Sequence, residues 1–303
     1  RIELRTEIDI LENEILEKYP EVLDILLRDQ TTQKNIIWAT SNYEHLGESY
    51  LQSKQIKSEL ITGINGDVIM PRVQKDQILQ QSRVKNMAEV FTPSWICNAQ
   101  NNLIDSAWFE RKNVFNKELP NEKKWKTNQA KIEFPKNKSW QDYINDKRLE
   151  ISCGEAPYIT SRYDTTTGEF IEIENRIGLL DRKLRIINEN VDESNEWLDA
   201  TKSAYKNTYA YEWQGDSLLI ARENLLYTFT DYYEAKFKET PSIELQKEIT
   251  EIIVWNIFQM DGLKYVIPMS CQTELVTVPG KANLFGKQDD RIEEKPCLGC
   301  RTK

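Results

Sequence analysis

The chain has 303 residues, 39% of them hydrophobic and 29% charged, which predicts a soluble globular protein of one large or two modest domains. No run of about 18 apolar residues occurs and only five cysteines are present, so we expect no transmembrane helix and a reducing cytoplasm. The net charge of −9 excludes a surface built throughout for nucleic acid, but it allows a local basic face or a basic partner subunit.

Residues 1–85 are predicted to form a mainly helical N-terminal region. Apolar residues recur at spacings of three and four from Ile8 to Leu27, and Pro20 breaks or restarts this helix. The single histidine, His45, is interpreted as a polar surface residue. Without it, neither a His/Cys metal cluster nor a Ser-His-Asp triad can be assembled.

A second helix is predicted after a strand-like Val90-Phe91 pair. Thr92 fits the N-cap of this helix and Pro93 fits its first position. On these residues alone, a capped helix with no further role is the simplest interpretation.

Between positions 109 and 140, lysines alternate with aromatic residues in a pattern that would suit contact with a nucleic-acid backbone. The lysines are Lys112, Lys117, Lys123, Lys124, Lys126, Lys131, Lys136 and Lys138, and the aromatics are Phe115, Trp125, Phe134 and Trp140. The acids Glu118, Glu122 and Glu133 dilute this charge. We therefore favour a solvated connecting segment whose aromatic side chains pack inward.

The stretch 147–157 is predicted to be a buried strand that ends in a small-residue turn. Glu150 lies near the end of the strand, and the turn around Gly154 offers backbone N–H groups to a ligand. An open α/β sheet holds nucleotide-like cofactors at this position. Because Ala156 and Pro157 stand where a second glycine would allow close approach of a pyrophosphate, the turn favours a cofactor without phosphates.

Two later strands also end on an acid, Glu212 after 208–211 and Asp261 after 256–260. Helices predicted over 176–191, 218–226 and 243–255 separate the strands, so the three acids should line one edge of a parallel sheet. Glu212 would bind ribose hydroxyls, Trp213 would stack on adenine, and Asp261 would accept from the adenine amino group. This set indicates S-adenosylmethionine rather than NAD.

Four segments, in this order, resemble motifs of the adenine-specific DNA methyltransferases of bacterial type I and type II restriction–modification systems. They read EVFTP at 89–93, LEISCGEA at 149–156, YEW at 211–213 with ARENLL at 221–226, and NIFQMDGL at 256–263. The resemblance covers roughly residues 86–265, with an insertion after the second segment. It implies an α/β, Rossmann-like class I methyltransferase domain with a mainly parallel sheet over 86–270, and S-adenosylmethionine as cofactor. The implied partners are double-stranded DNA and an endonuclease or specificity subunit, with no membrane.

The matched positions imply cofactor-binding roles for eleven residues. These are Phe91, Thr92, Pro93, Glu150, Ser152, Cys153, Gly154, Glu155, Glu212, Trp213 and Asp261. The family's Asn/Asp-Pro-Pro-Tyr/Phe tetrapeptide, which holds the flipped target adenine, does not occur. Either it lies beyond Lys303, or a partner supplies it, or the chain is a non-catalytic subunit that binds cofactor or DNA within a restriction complex. Catalytic residues are therefore not assigned.

Residues 271–303 are predicted to form a cysteine-containing tail. Cys297 and Cys300 form a Cys-x-x-Cys pair, which is half of a zinc site, and Cys271 adds a third thiol. Free thiols in a mobile tail are the favoured interpretation, with zinc ligation by Cys297 and Cys300 as the alternative.

Overall fold

A computed structural model describes residues 12–75, 91–270, 274–278 and 291–295. These residues combine a helical N-terminal region with a parallel three-stranded sheet and two antiparallel pairs of strands. The helices are α1 (Glu12–Lys18), α2 (Pro20–Leu27), α3 (Ser94–Phe109), α4 (Trp140–Asn145), α5 (Leu179–Asn190), α6 (Ser194–Lys206), α7 (Gly215–Phe237) and α8 (Ile243–Asn256). The strands are β1 (Asn116–Leu119), β2 (Lys124–Thr127), β3 (Arg148–Ile151), β4 (Thr208–Glu212), β5 (Ile257–Gln259), β6 (Glu274–Val278) and β7 (Arg291–Lys295).

The parallel sheet has β4 in the middle, between β3 and β5. Helices α5 and α6 connect β3 to β4, and α7 and α8 connect β4 to β5. Parallel neighbours need such crossovers, and the crossovers bring the carboxyl ends of all three strands to one edge. The predicted parallel arrangement of three strands is confirmed.

The two faces of this sheet differ in how far other parts of the protein cover them. Glu150, Ala210 and Ile257 lie in register on one face and are buried. The other face of β3 carries Leu149 and Ile151, which are 54% and 58% exposed. A parallel sheet is ordinarily covered on both faces, so the described residues leave one of them incomplete.

The N-terminal helices share a core with the sheet-forming part. The chain divides at Pro20, as predicted, and Leu26 lies in the same buried cluster as Leu218 and Ile253. The buried guanidinium of Arg222 donates to the carbonyls of Leu26 and Ile257, at 2.5 and 2.8 Å. This side chain joins the end of α2 to the start of β5.

Helix α3 begins differently from the prediction. Thr92 is not its N-cap, because the helix starts at Ser94 and no side chain at the cap position bonds to it. The N–H of Ser94 instead donates to the carboxylate of Asp164, at 2.7 Å. A distant acid thus supplies the cap, which sequence spacing does not reveal.

Residues 264–268 do not form a strand. They lie in a turn that is closed by a single bridge between Asp261 and Val266. The Asp261 carboxylate accepts from the N–H groups of Leu263 and Lys264, at 3.0 and 3.1 Å. Such local side-chain bonds compete with a strand ladder and favour a turn.

The lysine-rich stretch is more ordered than a connecting segment. It contains the β1–β2 hairpin, closed through a short 3₁₀ turn at Pro120–Glu122. Phe115 is buried, in agreement with the prediction that the aromatics of this stretch pack inward. Among the helices that the structure describes, none is both long and apolar enough to cross a membrane.

Candidate functional site

A cavity of about 650 Å³ lies at the carboxyl ends of β3, β4 and β5. Its walls come from four segments, at 91–92, 150–158, 211–214 and 260–263. This volume is in the usual range for small-molecule and cofactor sites, about 300–1,000 Å³. The crevice beyond the carboxyl ends of parallel strands is also where open α/β sheets bind ligands.

Nine of the eleven residues predicted to bind cofactor line this cavity. They are Phe91, Thr92, Glu150, Ser152, Cys153, Gly154, Glu212, Trp213 and Asp261. Segments that are far apart in sequence therefore meet at one edge, because the crossover helices return each strand in the same direction.

Pro93 and Glu155 are not among the lining residues. Pro93 immediately precedes α3. The buried Glu155 carboxylate accepts from the N–H of Arg72 and from the hydroxyl of Tyr163, both at 2.7 Å. Glu155 therefore fastens the turn after β3 to its surroundings.

The Glu212 carboxylate organises the floor of the cavity. Its oxygens accept from three backbone N–H groups, those of Gly154 at 2.9 Å, Trp213 at 2.8 Å and Gln214 at 3.0 Å. Burial raises the pKa of Glu212 above its ordinary value, and the three N–H donors act against that rise. A carboxylate has about four acceptor positions, so one is left for a ligand.

Glu150 is a polar group of the cavity whose hydrogen bonding is incomplete. Its side chain is buried, and its Oε2 atom has no hydrogen-bond partner among the described residues. Burial raises the pKa of Glu150 well above its ordinary value, the charge of Glu212 adds to the rise, and the N–H groups of Tyr158 and Ile159 oppose it. Burying a carboxyl oxygen without a partner is costly. A ligand that brings a cation or a hydrogen-bond donor would remove this cost.

The turn after β3 adopts a backbone suited to glycine at two places. Gly154 has φ of 53° and Ala156 has φ of 62°, both in the left-handed region. The ring of Phe91 lies 3.7 Å from where a Cβ on Gly154 would stand. Ala156 is fully buried and does not line the cavity. The second glycine that the motif lacks is thus replaced by an alanine without loss of the left-handed conformation.

The buried amide of Gln259 positions the loop that carries Trp213. Its Nε2 atom donates to the carbonyl of Trp213 at 2.7 Å and to that of Ile37 at 2.8 Å. Its Oε1 atom accepts from the N–H of Ile37 at 2.9 Å. The indole of Trp213 is 38% exposed, which leaves surface for stacking. Sequence analysis missed Gln259, although a glutamine that ends an apolar strand is a signal of such a role.

Sequence analysis also missed part of the cavity wall. Tyr158, Tyr211 and Leu263 line the cavity beside the predicted residues. Burial raises the pKa of Tyr158 above its ordinary value. Side chains alternate between the two faces along the predicted strand 208–212. This alternation could have indicated that Tyr211 and Glu212 lie on opposite faces at its end.

No metal centre is found within the described ranges, where no group of three or more His, Cys, Asp or Glu side chains could hold an ion. The described cysteines, Cys97 and Cys153, are buried free thiols whose pKa burial raises. Cys297 and Cys300 lie outside the described residues, so zinc ligation by this pair stays a prediction.

Comparison of the chain with family models, with curated proteins and with solved structures gave no match. A functional assignment therefore depends on the geometry of the cavity and on the four motif segments that surround it.

Proposed function

We propose that this chain is the S-adenosylmethionine-binding subunit of an adenine-N6 DNA methyltransferase in a restriction–modification or related defence system. The sheet would be part of a Rossmann-like class I methyltransferase domain. The observation that carries the proposal is the pair of buried carboxyl groups, Glu150 and Glu212, in one cavity at the strand ends. One of them has an oxygen without a partner, and the other has a single acceptor position left.

The polar groups of the cavity fit the chemistry of this cofactor. Glu150 would face the cationic end of S-adenosylmethionine, which carries an ammonium and a sulfonium. The remaining acceptor position of Glu212 would take a ribose hydroxyl. The exposed indole of Trp213 would stack on adenine, and Asp261 would accept from the adenine amino group. The turn after β3 presents no cluster of glycines to a pyrophosphate, which agrees with a cofactor that has no phosphate.

The cofactor supplies the methyl group and the driving force, and the chain supplies binding and orientation. Glu212 fixes the turn at Gly154 against the end of β4. The cavity walls that these two segments form are therefore held in place before a ligand binds. Leu263 and Tyr211 would exclude water from one side of the bound cofactor.

A second candidate is a non-catalytic subunit that binds the cofactor and depends on another polypeptide for methyl transfer. Two observations favour it. The chain lacks the Asn/Asp-Pro-Pro-Tyr/Phe tetrapeptide, and Leu149 and Ile151 leave one face of a parallel sheet exposed. A further protein layer on this face would complete the sheet and bring the residues that hold the target base.

Isothermal titration calorimetry with S-adenosylmethionine, S-adenosylhomocysteine and NAD tests the proposal. We expect the first two to bind and NAD not to bind. Trp213→Ala should weaken binding about fivefold or more, because stacking on a base contributes about 1–3 kcal/mol. Trp255→Ala is the matched control, since Trp255 is 60% exposed and does not line the cavity. Absence of binding, or equal effects of the two substitutions, would contradict the assignment.

Methyl transfer separates the two candidates. Purified chain is incubated with duplex DNA and radiolabelled S-adenosylmethionine, and label on adenine is measured. Transfer by the chain alone supports the catalytic subunit. Cofactor binding without transfer supports the non-catalytic subunit.

A further inference from the structure

The β1–β2 hairpin presents three lysines on one face. Lys117 lies directly opposite Lys126, and Lys124 lies opposite Leu119. Side chains alternate along a strand, so these four residues share the same face of the hairpin. All three lysines are exposed. This set, Lys117, Lys124 and Lys126, is called the lysine face below.

The opposite face of the hairpin is fastened to the body of the protein. Asn116 exchanges two side-chain hydrogen bonds with Asn98 of α3, at 2.8 and 3.0 Å. Trp125 donates to the carbonyl of Asn175 at 2.9 Å, and Thr127 donates to the Asn175 side chain at 2.8 Å. The hairpin is therefore held in a fixed orientation, and the lysine face points away from the protein.

Acidic residues lie close to these lysines in the sequence, but they do not neutralise the lysine face. Glu118 alternates to the fastened face, where it accepts from Asn102 at 2.9 Å. Within the part of the chain that the structure describes, none of the three lysines makes an ion pair. Like charges directly across a hairpin destabilise it, as Lys117 and Lys126 do here. A bound polyanion would reverse this effect.

We propose that the lysine face binds the phosphate backbone of duplex DNA. The inference depends on the proposed function for its choice of DNA as the substrate. The chemistry of the face favours phosphates over an acidic protein surface. Protein interfaces are depleted in lysine and centre on aromatic or arginine anchors, whereas lysine is a compact point charge well suited to phosphate. The aromatic residue of this hairpin, Trp125, lies on the fastened face.

The position of the hairpin agrees with this role. A second cavity of about 400 Å³ is lined by Lys123, Lys124 and Trp125 together with Ser94 and Trp95. The preceding residues, 91 and 92, line the candidate cofactor cavity. The short segment 91–95 therefore contributes to the walls of both cavities, which links the hairpin to the candidate cofactor cavity.

Fluorescence anisotropy with a labelled duplex of about 30 base pairs, without cofactor, tests the inference across a series of salt concentrations. The variant K117Q/K124Q/K126Q is compared with K34Q/K147Q/K206Q, which removes three exposed lysines that also make no ion pair among the described residues. Each phosphate contact adds about 0.9 to the slope of log Kd against log salt. We expect the hairpin variant to lose about 2–3 from this slope and to bind at least tenfold more weakly at low salt, while the control variant matches the wild type.

Three results would overturn the inference. They are no binding of duplex by the wild type at low salt, equal weakening in the two triple variants, or competition by polyglutamate as effective as competition by unlabelled duplex. Thermal unfolding gives an independent readout, because removing the repulsion between Lys117 and Lys126 should raise the unfolding midpoint of the hairpin variant at low salt. Cofactor binding is measured separately, so failure of the proposed function would leave this result intact.

Discussion

The Glu212 carboxylate accepts a hydrogen bond of 2.9 Å from the backbone N–H of Gly154. Gly154 follows β3 and Glu212 ends β4, so this one bond joins the carboxyl ends of two neighbouring strands. Two further acceptor positions of Glu212 are taken by the N–H groups of Trp213 and Gln214. The carboxylate thus shapes the cavity floor while it keeps one position open.

Glu212→Gln should destabilise the protein and weaken its binding of S-adenosylmethionine. The amide nitrogen of glutamine cannot accept, so at least one buried N–H loses its acceptor. We expect the free energy of unfolding to fall by about 1–3 kcal/mol, measured by urea denaturation. Glu118→Gln alters an exposed carboxylate and should stay within about 0.5 kcal/mol of wild type. A Glu212→Gln variant as stable as wild type would contradict the role of this carboxylate.

Glu150→Gln should have opposite effects on stability and on binding. A raised folded-state pKa means that native Glu150 holds a proton that the unfolded chain loses above the ordinary glutamate pKa. Stability from this group is therefore present at low pH and is lost as pH rises through the folded pKa. Above the ordinary glutamate pKa, the unliganded variant should become increasingly more stable than wild type, measured by chemical denaturation. Wild-type affinity for S-adenosylmethionine should increase with pH as Glu150 loses its proton. The affinity of the variant should be lower and should not show this increase.

Asp231→Asn is the contrast to Glu150→Gln. Asp231 is also buried, but its carboxylate pairs with Arg162 at 3.2 Å and with Arg176 at 2.7 Å. Removing a paired buried charge leaves the arginines uncompensated and should cost about 3–5 kcal/mol. If both substitutions destabilise equally, then Glu150 has a partner that the hydrogen-bond pattern does not reveal.

Gly154→Ala should affect the cavity as well as stability. An L-residue in the left-handed region costs about 1–2 kcal/mol, and φ of Gly154 is 53°. The added methyl group would also stand 3.7 Å from the ring of Phe91, at the cavity wall. Gly63→Ala is the matched control, because φ of Gly63 is 65° and nothing lies within 4 Å of its added Cβ. We expect similar losses of stability by thermal unfolding, and weaker cofactor binding by calorimetry only for Gly154→Ala.

Lys183→Met should loosen the amino ends of β3 and β4. The buried ammonium of Lys183 donates to the carbonyls of Asp146 at 2.7 Å and Asn207 at 3.0 Å, just before these strands. Loss of this donor should lower the free energy of unfolding by about 1–3 kcal/mol. Burial lowers the pKa of Lys183 to about 7, so its contribution to stability rises with pH above that value. Denaturation at pH 7 and pH 9 should show a larger difference from wild type at pH 9.

The sequence predicted the elements that its periodicity encodes. The break at Pro20, the helices α5 and α8, and the strand at 208–212 follow from apolar spacing and from proline chemistry. The order of strands and crossover helices then fixed a parallel sheet, because such connections are right-handed and return each strand in one direction. Glu150, Glu212, Trp213 and Asp261 were predicted in this way because they stand at or beside predicted strand ends, and the turn at Gly154 follows from its small residues. The other lining residues were predicted only from the resemblance of the motif segments.

Side-chain partners from distant segments were beyond the reach of sequence spacing. Glu155 belongs to the same motif as Glu150, yet its carboxylate bonds to Arg72 and Tyr163, whereas an oxygen of Glu150 has no described partner. The cap of α3 by Asp164 is a similar case. Such partners depend on how distant loops pack against one another. The hydrophobic periodicity of a local segment carries no information about this packing.

The sequence by itself determined three strand ends with a carboxyl group each, because hydrophobic periodicity and turn residues act locally along the chain. The tertiary structure decided which carboxyl groups are left available to a ligand. It also decided that Glu118 lies on the face of the hairpin that is fastened to α3, opposite to the face of Lys117 and Lys126, since strand pairing sets the face on which each side chain lies. Burial and hydrogen bonding are properties of the assembled fold, and they separate a binding group from a structural one.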